Sequence, residues 1–223
     1  MEDMCKLLEI ADDYGKVKNY VYQRYGGIKS IEKLYPGYTV QNEMTASGLR
    51  ESLNMPSVYF YLAVYDALGD IKSHWSKVKK LVQESVHRNE NFTPKDKHYL
   101  RFILKVNNCF ESVLNDKPLK LPDTLQKKYE EAASDVDIRR LDNYLKRQVR
   151  RHLKKLHTDE TDGFSISERA YRYGDHGIYI SVKEKRKRIY IPLTDSNQYD
   201  RQLFIRLFKE SGRLEIFVPI KIR

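Results

Sequence analysis

The spacing of apolar residues changes once along this chain, at Thr161-Asp162-Gly163. Before this point apolar residues recur every three or four positions, which is the period of an amphipathic helix. After it they alternate with polar residues, which is the period of a half-buried strand. We therefore predict an α+β fold, with a helical bundle in residues 1–157 and a small antiparallel β module in residues 158–223.

Start and stop signals divide the helical part. Thr93-Pro94-Lys95-Asp96 is a capped helix start with proline in the first turn, and Ser134-Asp135-Val136-Asp137 is a second capped start. Gly15 weakens the first helix in its middle. The predicted helices cover about residues 7–21, 31–34, 40–53, 54–88, 94–110 and 135–156.

The predicted strands follow the change of period. They cover residues 164–167, 178–182, 188–193, 203–208 and 214–222. The last two form a hairpin around a turn at Ser211-Gly212. Pro192 and Pro219 favour edge or strand-end positions, because proline cannot donate a hydrogen bond to a neighbouring strand.

The net charge of +10 lies entirely in the last part of the chain. Of the 41 Lys and Arg residues, 20 lie in residues 1–138, together with 20 of the 31 Asp and Glu residues. The remaining residues therefore hold 21 basic and 11 acidic side chains. A basic segment added to a neutral scaffold favours an anionic partner such as nucleic acid.

One basic segment is the predicted helix that ends near Leu156. Its apolar residues form one narrow stripe, and a single acid, Asp142, lies among the cations of its helical part. Solvated faces usually mix charges at i and i+4, and membrane-surface helices need a broad apolar face, so phosphate binding is the preferred interpretation over these two alternatives. The residues predicted to face phosphates are Arg147, Arg150, Arg151, Lys154 and Lys155.

A second basic cluster lies between two predicted strands, where a hairpin tip would expose several cations together. Its predicted phosphate-binding residues are Lys183, Lys185, Arg186, Lys187 and Arg188. We expect the two clusters to bind one nucleic acid through its backbone, because no motif for base readout is present. Tyr171 and Tyr173 are equally compatible with base stacking and with the rim of the core.

The sequence gives no positive case for catalysis or for a bound metal or other cofactor. It contains no phosphate-binding loop, nucleophile elbow or zinc-binding motif, and its six histidines are scattered. Two distant cysteines do not indicate a disulfide framework, and no apolar run approaches membrane-spanning length. We therefore expect a non-enzymatic, cytoplasmic protein that does not bind membranes.

Three stretches carry a resemblance to a known family. They are RIYIPL with IRLFKESGRLEIFV (residues 188–193 and 205–218), SVYFYLAVYDALGDIKSHWSKVKK (57–80) and, more loosely, DDYGKVKNYVY (12–22). These runs resemble the wedge domain and the recognition-lobe helices of TnpB-like transposon-encoded RNA-guided nucleases and of type V CRISPR effectors. In that family the wedge domain is a small β-barrel that grips the guide RNA.

The resemblance implies a recognition lobe plus wedge domain that binds guide RNA or an RNA–DNA heteroduplex. The nuclease half of the family would begin after Ile222, and its catalytic strand and four-cysteine zinc ribbon are absent from this sequence. We therefore expect a non-catalytic RNA- or DNA-binding protein with a role in transposition. The alternative is a protein–protein adaptor in which the basic face is only solvated.

Overall fold

The computed structural model describes residues 2–159, 161–194 and 197–218. Their order along the chain is a helical region followed by short antiparallel strands, which confirms the predicted α+β class. The helices are α1 (Glu2–Tyr25), a 3₁₀ helix (Ile28–Leu34), α2 (Tyr38–Thr45), α3 (Leu49–Ser52), α4 (Ser57–Arg88), α5 (Pro94–Lys105), α6 (Asn107–Asn115), α7 (Asp123–Ala133) and α8 (Ile138–His152).

The strands form two antiparallel sheets of three strands each. They are β1 (Gly163–Ile166), β2 (Tyr171–Gly174), β3 (Gly177–Ser181), β4 (Arg188–Pro192), β5 (Leu203–Phe208) and β6 (Arg213–Phe217). One sheet has the order β1-β5-β6 and the other has the order β2-β3-β4. The predicted hairpin joins β5 to β6, with Gly212 at a positive φ of 63° in its turn. Pro192 ends β4, an edge strand, as predicted, whereas Pro219 lies outside the described residues.

The chain forms two compact units that do not follow the predicted division at residue 157. Unit 1 comprises the described residues within 1–23, 36–69 and 157–223, and unit 2 comprises residues 24–35 and 70–156. The predicted boundary coincides with the point at which the chain leaves unit 2 and returns to unit 1. The β strands therefore share a unit with the N-terminal helices rather than forming a module of their own.

Aromatic side chains join the strands of unit 1 to its helices. Phe164 of β1 packs edge-on against Tyr59 of α4, with ring centroids 5.4 Å apart, and also contacts Tyr14 of α1. The Tyr59 hydroxyl donates a hydrogen bond to the Ser181 carbonyl at 2.6 Å. Burying these large rings between helix and strand contributes the apolar area that short strands could not bury alone.

Polar contacts fix the same junction. The Asp66 carboxylate accepts hydrogen bonds from the Tyr14 hydroxyl at 2.5 Å and from the Ser165 hydroxyl at 2.7 Å. Burial, together with the Asp66 charge, raises the pKa of Tyr14 well above its usual value. Gly15 allows a close approach: a Cβ at this position would lie 2.2 Å from the Thr161 hydroxyl oxygen. The glycine that weakens α1 as a helix is therefore required by the packing of the strand region.

Unit 2 is a helical core around α5, α6 and α8. Thr93 caps the start of α5, as predicted, and forms a capping box with Asp96. Asp96 also pairs with Arg140 of α8 at 3.0 Å. The Tyr99 hydroxyl of α5 donates a hydrogen bond to Asp142 of α8 at 2.9 Å. These contacts hold one side of α8 against α5.

Several element boundaries differ from the predicted ones. The helix predicted over residues 40–53 is broken after Thr45, and Gly48, with a φ of 70°, is the N-cap of the next helix. The helix predicted through residue 110 is interrupted at Val106, which has an extended conformation. The α8 helix is N-capped by Asp137 rather than by Ser134. The helix α7 and the strand β2 were not predicted.

Candidate nucleic-acid interface

The buried side of α8 is apolar, as the sequence predicted. Leu141, Leu145 and Val149 are fully buried in unit 2. Asp137 caps the helix by accepting a hydrogen bond from the Arg140 amide at 3.0 Å. Because the apolar stripe is buried in the core of unit 2, the orientation of α8 is fixed. This orientation determines which basic residues face solvent.

Two cations of α8 are neutralised within unit 2. Arg140 pairs with the buried carboxylate of Asp96, and Lys146 pairs with Asp116. Burial raises the pKa of Asp96, but hydrogen bonds from Thr93 and Arg140 outweigh burial, so that this pKa lies below its usual value. Both cations therefore stabilise the helical core rather than a ligand.

The five predicted phosphate-binding residues of this segment are all exposed. They are Arg147, Arg150, Arg151, Lys154 and Lys155. Among the residues that the structure describes, no acidic side chain lies within ion-pairing distance of any of them. We define these five as the α8 basic surface. No ion pair with an acid in the described part of unit 2 relieves their mutual repulsion.

The sequence did not identify Arg139, which lies on the same face of the helix. It is exposed and precedes Arg150 by about three helical turns. Because residues about three helical turns apart lie on the same face, the spacing between Arg139 and Arg150 could have identified Arg139 from the sequence. It extends the α8 basic surface toward the start of the helix.

The helix ends earlier than predicted, so the last two lysines of the α8 basic surface are not helical. Leu153 has φ −75° and ψ 105°, which is an extended conformation and terminates α8 at His152. Lys154 and Lys155 follow in a non-helical segment. The sequence stripe continued through Leu153 and Leu156, but both are only half-buried.

Lys183 does not belong with the other cations of the second cluster. Its ammonium group donates hydrogen bonds to Asp13, to Glu9 at 2.8 Å and to the Leu53 carbonyl at 3.2 Å. The side chain is only 13% exposed, and that of Asp13 is 5% exposed. Burial lowers the pKa of Lys183, but its hydrogen bonds to Asp13 and Glu9 outweigh burial and raise it. Lys183 therefore has a structural role in unit 1.

The rest of the cluster is exposed on the predicted hairpin between β3 and β4. Lys185 and Arg186 lie at the tip, where Arg186 adopts a positive φ of 60°. Lys187 pairs with Glu184 at 2.8 Å, an exposed pair that contributes little stability. The Arg188 side chain donates a hydrogen bond to the Ser181 hydroxyl at 3.2 Å, which leaves its remaining donors available.

These hairpin cations line a cavity of about 610 Å³ within unit 1. The start of α4 and the acidic Glu184 also line it, and Arg169 adds a further exposed cation that the sequence did not identify. The cavity combines several guanidinium and ammonium groups with an apolar wall that includes Met55 and Val58. This chemistry suits a phosphate attached to a less polar group.

Tyr171 is a structural residue rather than a stacking residue. Its ring is buried, and its hydroxyl donates to the carbonyls of Tyr199 and Arg201, at 2.5 and 2.8 Å. Tyr173 is half-buried and packs edge-on against Tyr171 with centroids 5.5 Å apart. Both rings therefore contribute to the rim of the strand region.

No candidate metal centre is found in the described parts of the chain, where no three His, Cys, Asp or Glu side chains converge. Cys5 is exposed and Cys109 is buried, and neither forms a disulfide. Within the same residues, none of the helices combines the length and the hydropathy needed to cross a bilayer.

Comparison of the chain with models of protein families, with curated proteins and with solved structures found no match. The resemblance to TnpB-like nucleases therefore remains a prediction from the sequence runs quoted above.

Proposed function

We propose that this protein binds nucleic acid through its phosphate backbone and that the α8 basic surface makes the principal contacts. The observation that carries this proposal is the absence of acidic partners for its five exposed cations among the described residues. Arg140 and Lys146 of the same helix have such partners. When clustered cations neutralise phosphates, the counterions condensed on the nucleic acid are released, and this release is the main source of backbone affinity.

A membrane surface is a less suitable partner for α8. An interfacial helix needs a free apolar face that can enter the boundary between headgroups and acyl chains. The apolar residues Leu141, Leu145 and Val149 are buried in unit 2 and are not available. The charged face of α8 remains exposed. A charged face without an accompanying apolar face favours binding to a soluble polyanion over binding to a membrane surface.

The exposed cations of the β3–β4 hairpin provide a second phosphate-binding surface, in unit 1. Lys185, Arg186 and Arg188, with Arg169 in the lining of the same cavity, are the residues we assign to it. Guide RNA or an RNA–DNA heteroduplex is the ligand that the family resemblance implies. In this proposal the chain is a non-catalytic, cytoplasmic component that holds nucleic acid without reading its sequence.

The test compares two charge reversals of equal size in unit 2. Arg150→Glu with Arg151→Glu alters the α8 basic surface, while Lys127→Glu with Lys128→Glu alters α7, where the two lysines are exposed among acidic residues. Both double variants change the net charge by the same amount. Affinity for a fluorescently labelled RNA of mixed sequence is measured at fixed, moderate salt by anisotropy.

We expect the α8 variant to bind at least about 10-fold more weakly, since two phosphate contacts are lost and two repulsions are added. The α7 variant should stay close to the parent. Equal losses in both variants would show that only net charge matters. If the parent binds no RNA or DNA but captures an acidic protein, the adaptor interpretation replaces this one.

A further inference from the structure

The two faces of the sheet β2-β3-β4 differ. The inner face is apolar and buried, whereas the outer face is aromatic and exposed. The inward side chains Ile178, Ile180 and Ile189 are buried. On the outward side, Tyr179 and Tyr190 are directly opposite each other in the register of β3 and β4. Their side chains are 42% and 43% exposed, so two large rings of the same sheet face solvent together.

The two rings are held in position by glycines on the same face. A Cβ at Gly174 would lie 2.9 Å from the Tyr179 ring, and a Cβ at Gly177 would lie 2.6 Å from the Tyr190 ring. Each ring therefore lies over a glycine position, where no side chain projects. The ring centroids are 5.0 Å apart, so the rings also pack against each other. Such a preorganised pair loses little conformational entropy when a ligand stacks on it.

Arginines flank this aromatic pair. Arg172 of β2 lies directly opposite Tyr179, and Arg188 of β4 lies two residues before Tyr190 and therefore on the same face. None of the outward positions of β2, β3 and β4, all of which are described, carries an acidic residue. Asp175, in the turn after β2, is the nearest acid in sequence to Gly174.

We propose that this face, which we term the tyrosine platform, binds single-stranded nucleic acid by stacking bases on Tyr179 and Tyr190. Arg172 and Arg188 would then bind the adjacent phosphates. The proposal rests on the proposed function and deepens it, because backbone contacts alone do not distinguish single strands from duplexes. A duplex keeps its bases stacked inside the helix and cannot offer them to the two rings.

Charge and composition favour this ligand over an apolar protein surface. A face built to bind an apolar partner would carry aliphatic residues, whereas here the exposed residues are two tyrosines between two arginines. Tyrosine and arginine both stack on bases, and arginine also binds phosphate. The hairpin tip, with Lys185 and Arg186, follows the end of β3. The phosphate backbone of a bound nucleic acid would therefore meet further cations there.

The experiment replaces both rings with a strand-forming residue that cannot stack. The variant is Tyr179→Thr with Tyr190→Thr, and its matched control is Tyr38→Ala, which removes an exposed tyrosine from α2 in the same unit. Affinities for a uridine-rich single-stranded RNA and for an RNA duplex of equal length are measured by anisotropy. Circular dichroism checks that each variant is folded.

We expect the Thr variant to bind the single strand about 10-fold or more weakly than the parent, because it loses the stacking of bases on both rings. Its affinity for the duplex and the affinities of the Tyr38→Ala control should not change. Tyr179→Phe with Tyr190→Phe should retain most of the single-strand affinity, because the rings remain. This pattern would assign the effect to stacking.

Three results would overturn or separate the proposals. If the Thr variant binds single strands as tightly as the parent, the tyrosine platform is wrong while the proposed function stands. If the Thr variant binds single strands and duplexes more weakly by the same factor, base stacking on the two rings is also excluded. If the parent binds neither nucleic acid, both proposals fail. Should the Thr variant not fold, photocrosslinking of the parent to 4-thiouridine RNA decides, with crosslinks at Tyr179 or Tyr190 expected and their absence contradicting the platform.

Discussion

Replacing Lys183 with methionine removes the ammonium group but keeps a flexible side chain of similar length beside the β3–β4 hairpin. The group that loses most is Asp13, whose carboxylate is nearly fully buried. Breaking a buried ion pair from one side costs about 3–5 kcal/mol, because the remaining charge has no partner. Asp13 keeps Lys16, which donates to its other oxygen at 2.9 Å, so the loss should be smaller.

We expect Lys183→Met to lower the free energy of unfolding by about 2–3 kcal/mol, since Glu9 is exposed enough to be solvated by water. For a chain of this size the loss corresponds to a decrease in Tm of about 5–10 °C. Calorimetry measures it directly. The matched control is Lys185→Met, two residues further along, where an exposed cation at the hairpin tip should change stability by less than about 0.5 kcal/mol.

The effects of the two substitutions on RNA affinity should be the reverse of their effects on stability. At a temperature where both are folded, Lys183→Met should bind RNA like the parent, and Lys185→Met should bind it more weakly. If Lys183→Met is as stable as the parent and binds RNA poorly, its ammonium group faces the ligand. The assignment of Lys183 to the core of unit 1 would then be wrong.

The other predictions concern packing, pH and catalysis. Gly15→Ala should destabilise the protein by about 1–2 kcal/mol, because the new methyl group would overlap Thr161, whereas Gly69→Ala, where nothing lies within 4 Å, should be neutral or stabilising. The pKa of Asp96 is lowered in the folded chain, so its stabilisation is present above about pH 4 and is lost as the pH falls through the folded-state value. Asp96→Asn should therefore flatten the acid limb of unit 2 unfolding followed by Trp75 fluorescence. The purified chain should not cut DNA, and cleavage that a chelator abolishes would contradict this.

The sequence predicted the parts of the structure that depend on local patterns. The stripe of Leu141, Leu145 and Val149 fixed the buried side of α8, and hence which cations are exposed. The alternation in β3, β4 and β5 predicted those strands to within a residue or two. In both cases the signal lies within one helix or one strand, where spacing alone determines the exposed side.

Partners that are distant in sequence could not be predicted. Lys183 looked like the other hairpin cations, but its partners Glu9 and Asp13 lie 174 and 170 residues away. Gly15 looked like a defect in α1 because Thr161, the residue that requires it, follows only after the whole of unit 2. No local pattern encodes either contact.

The tyrosine platform was missed for a different reason. The strand β2 has only four residues, Tyr171–Gly174, so its alternation is too short to separate from a turn. Without β2 the sequence does not place Arg172 next to Tyr179. The sequence drew attention instead to Tyr171 and Tyr173, for which stacking and the rim of the core were equally compatible, and both lie on the other face of the sheet.

The salt dependence of RNA affinity tests the central claim most directly, because it counts the phosphates that the protein neutralises. If the five cations of the α8 basic surface each contact one phosphate, they should contribute about −3.5 for a single strand and about −4.5 for a duplex to the slope of log K against log salt concentration, and contacts of the hairpin cations would add to it. Arg150→Glu with Arg151→Glu should reduce the single-strand slope by about 1.4. A parent slope near zero, or a slope that this double variant leaves unchanged, would contradict phosphate binding by α8.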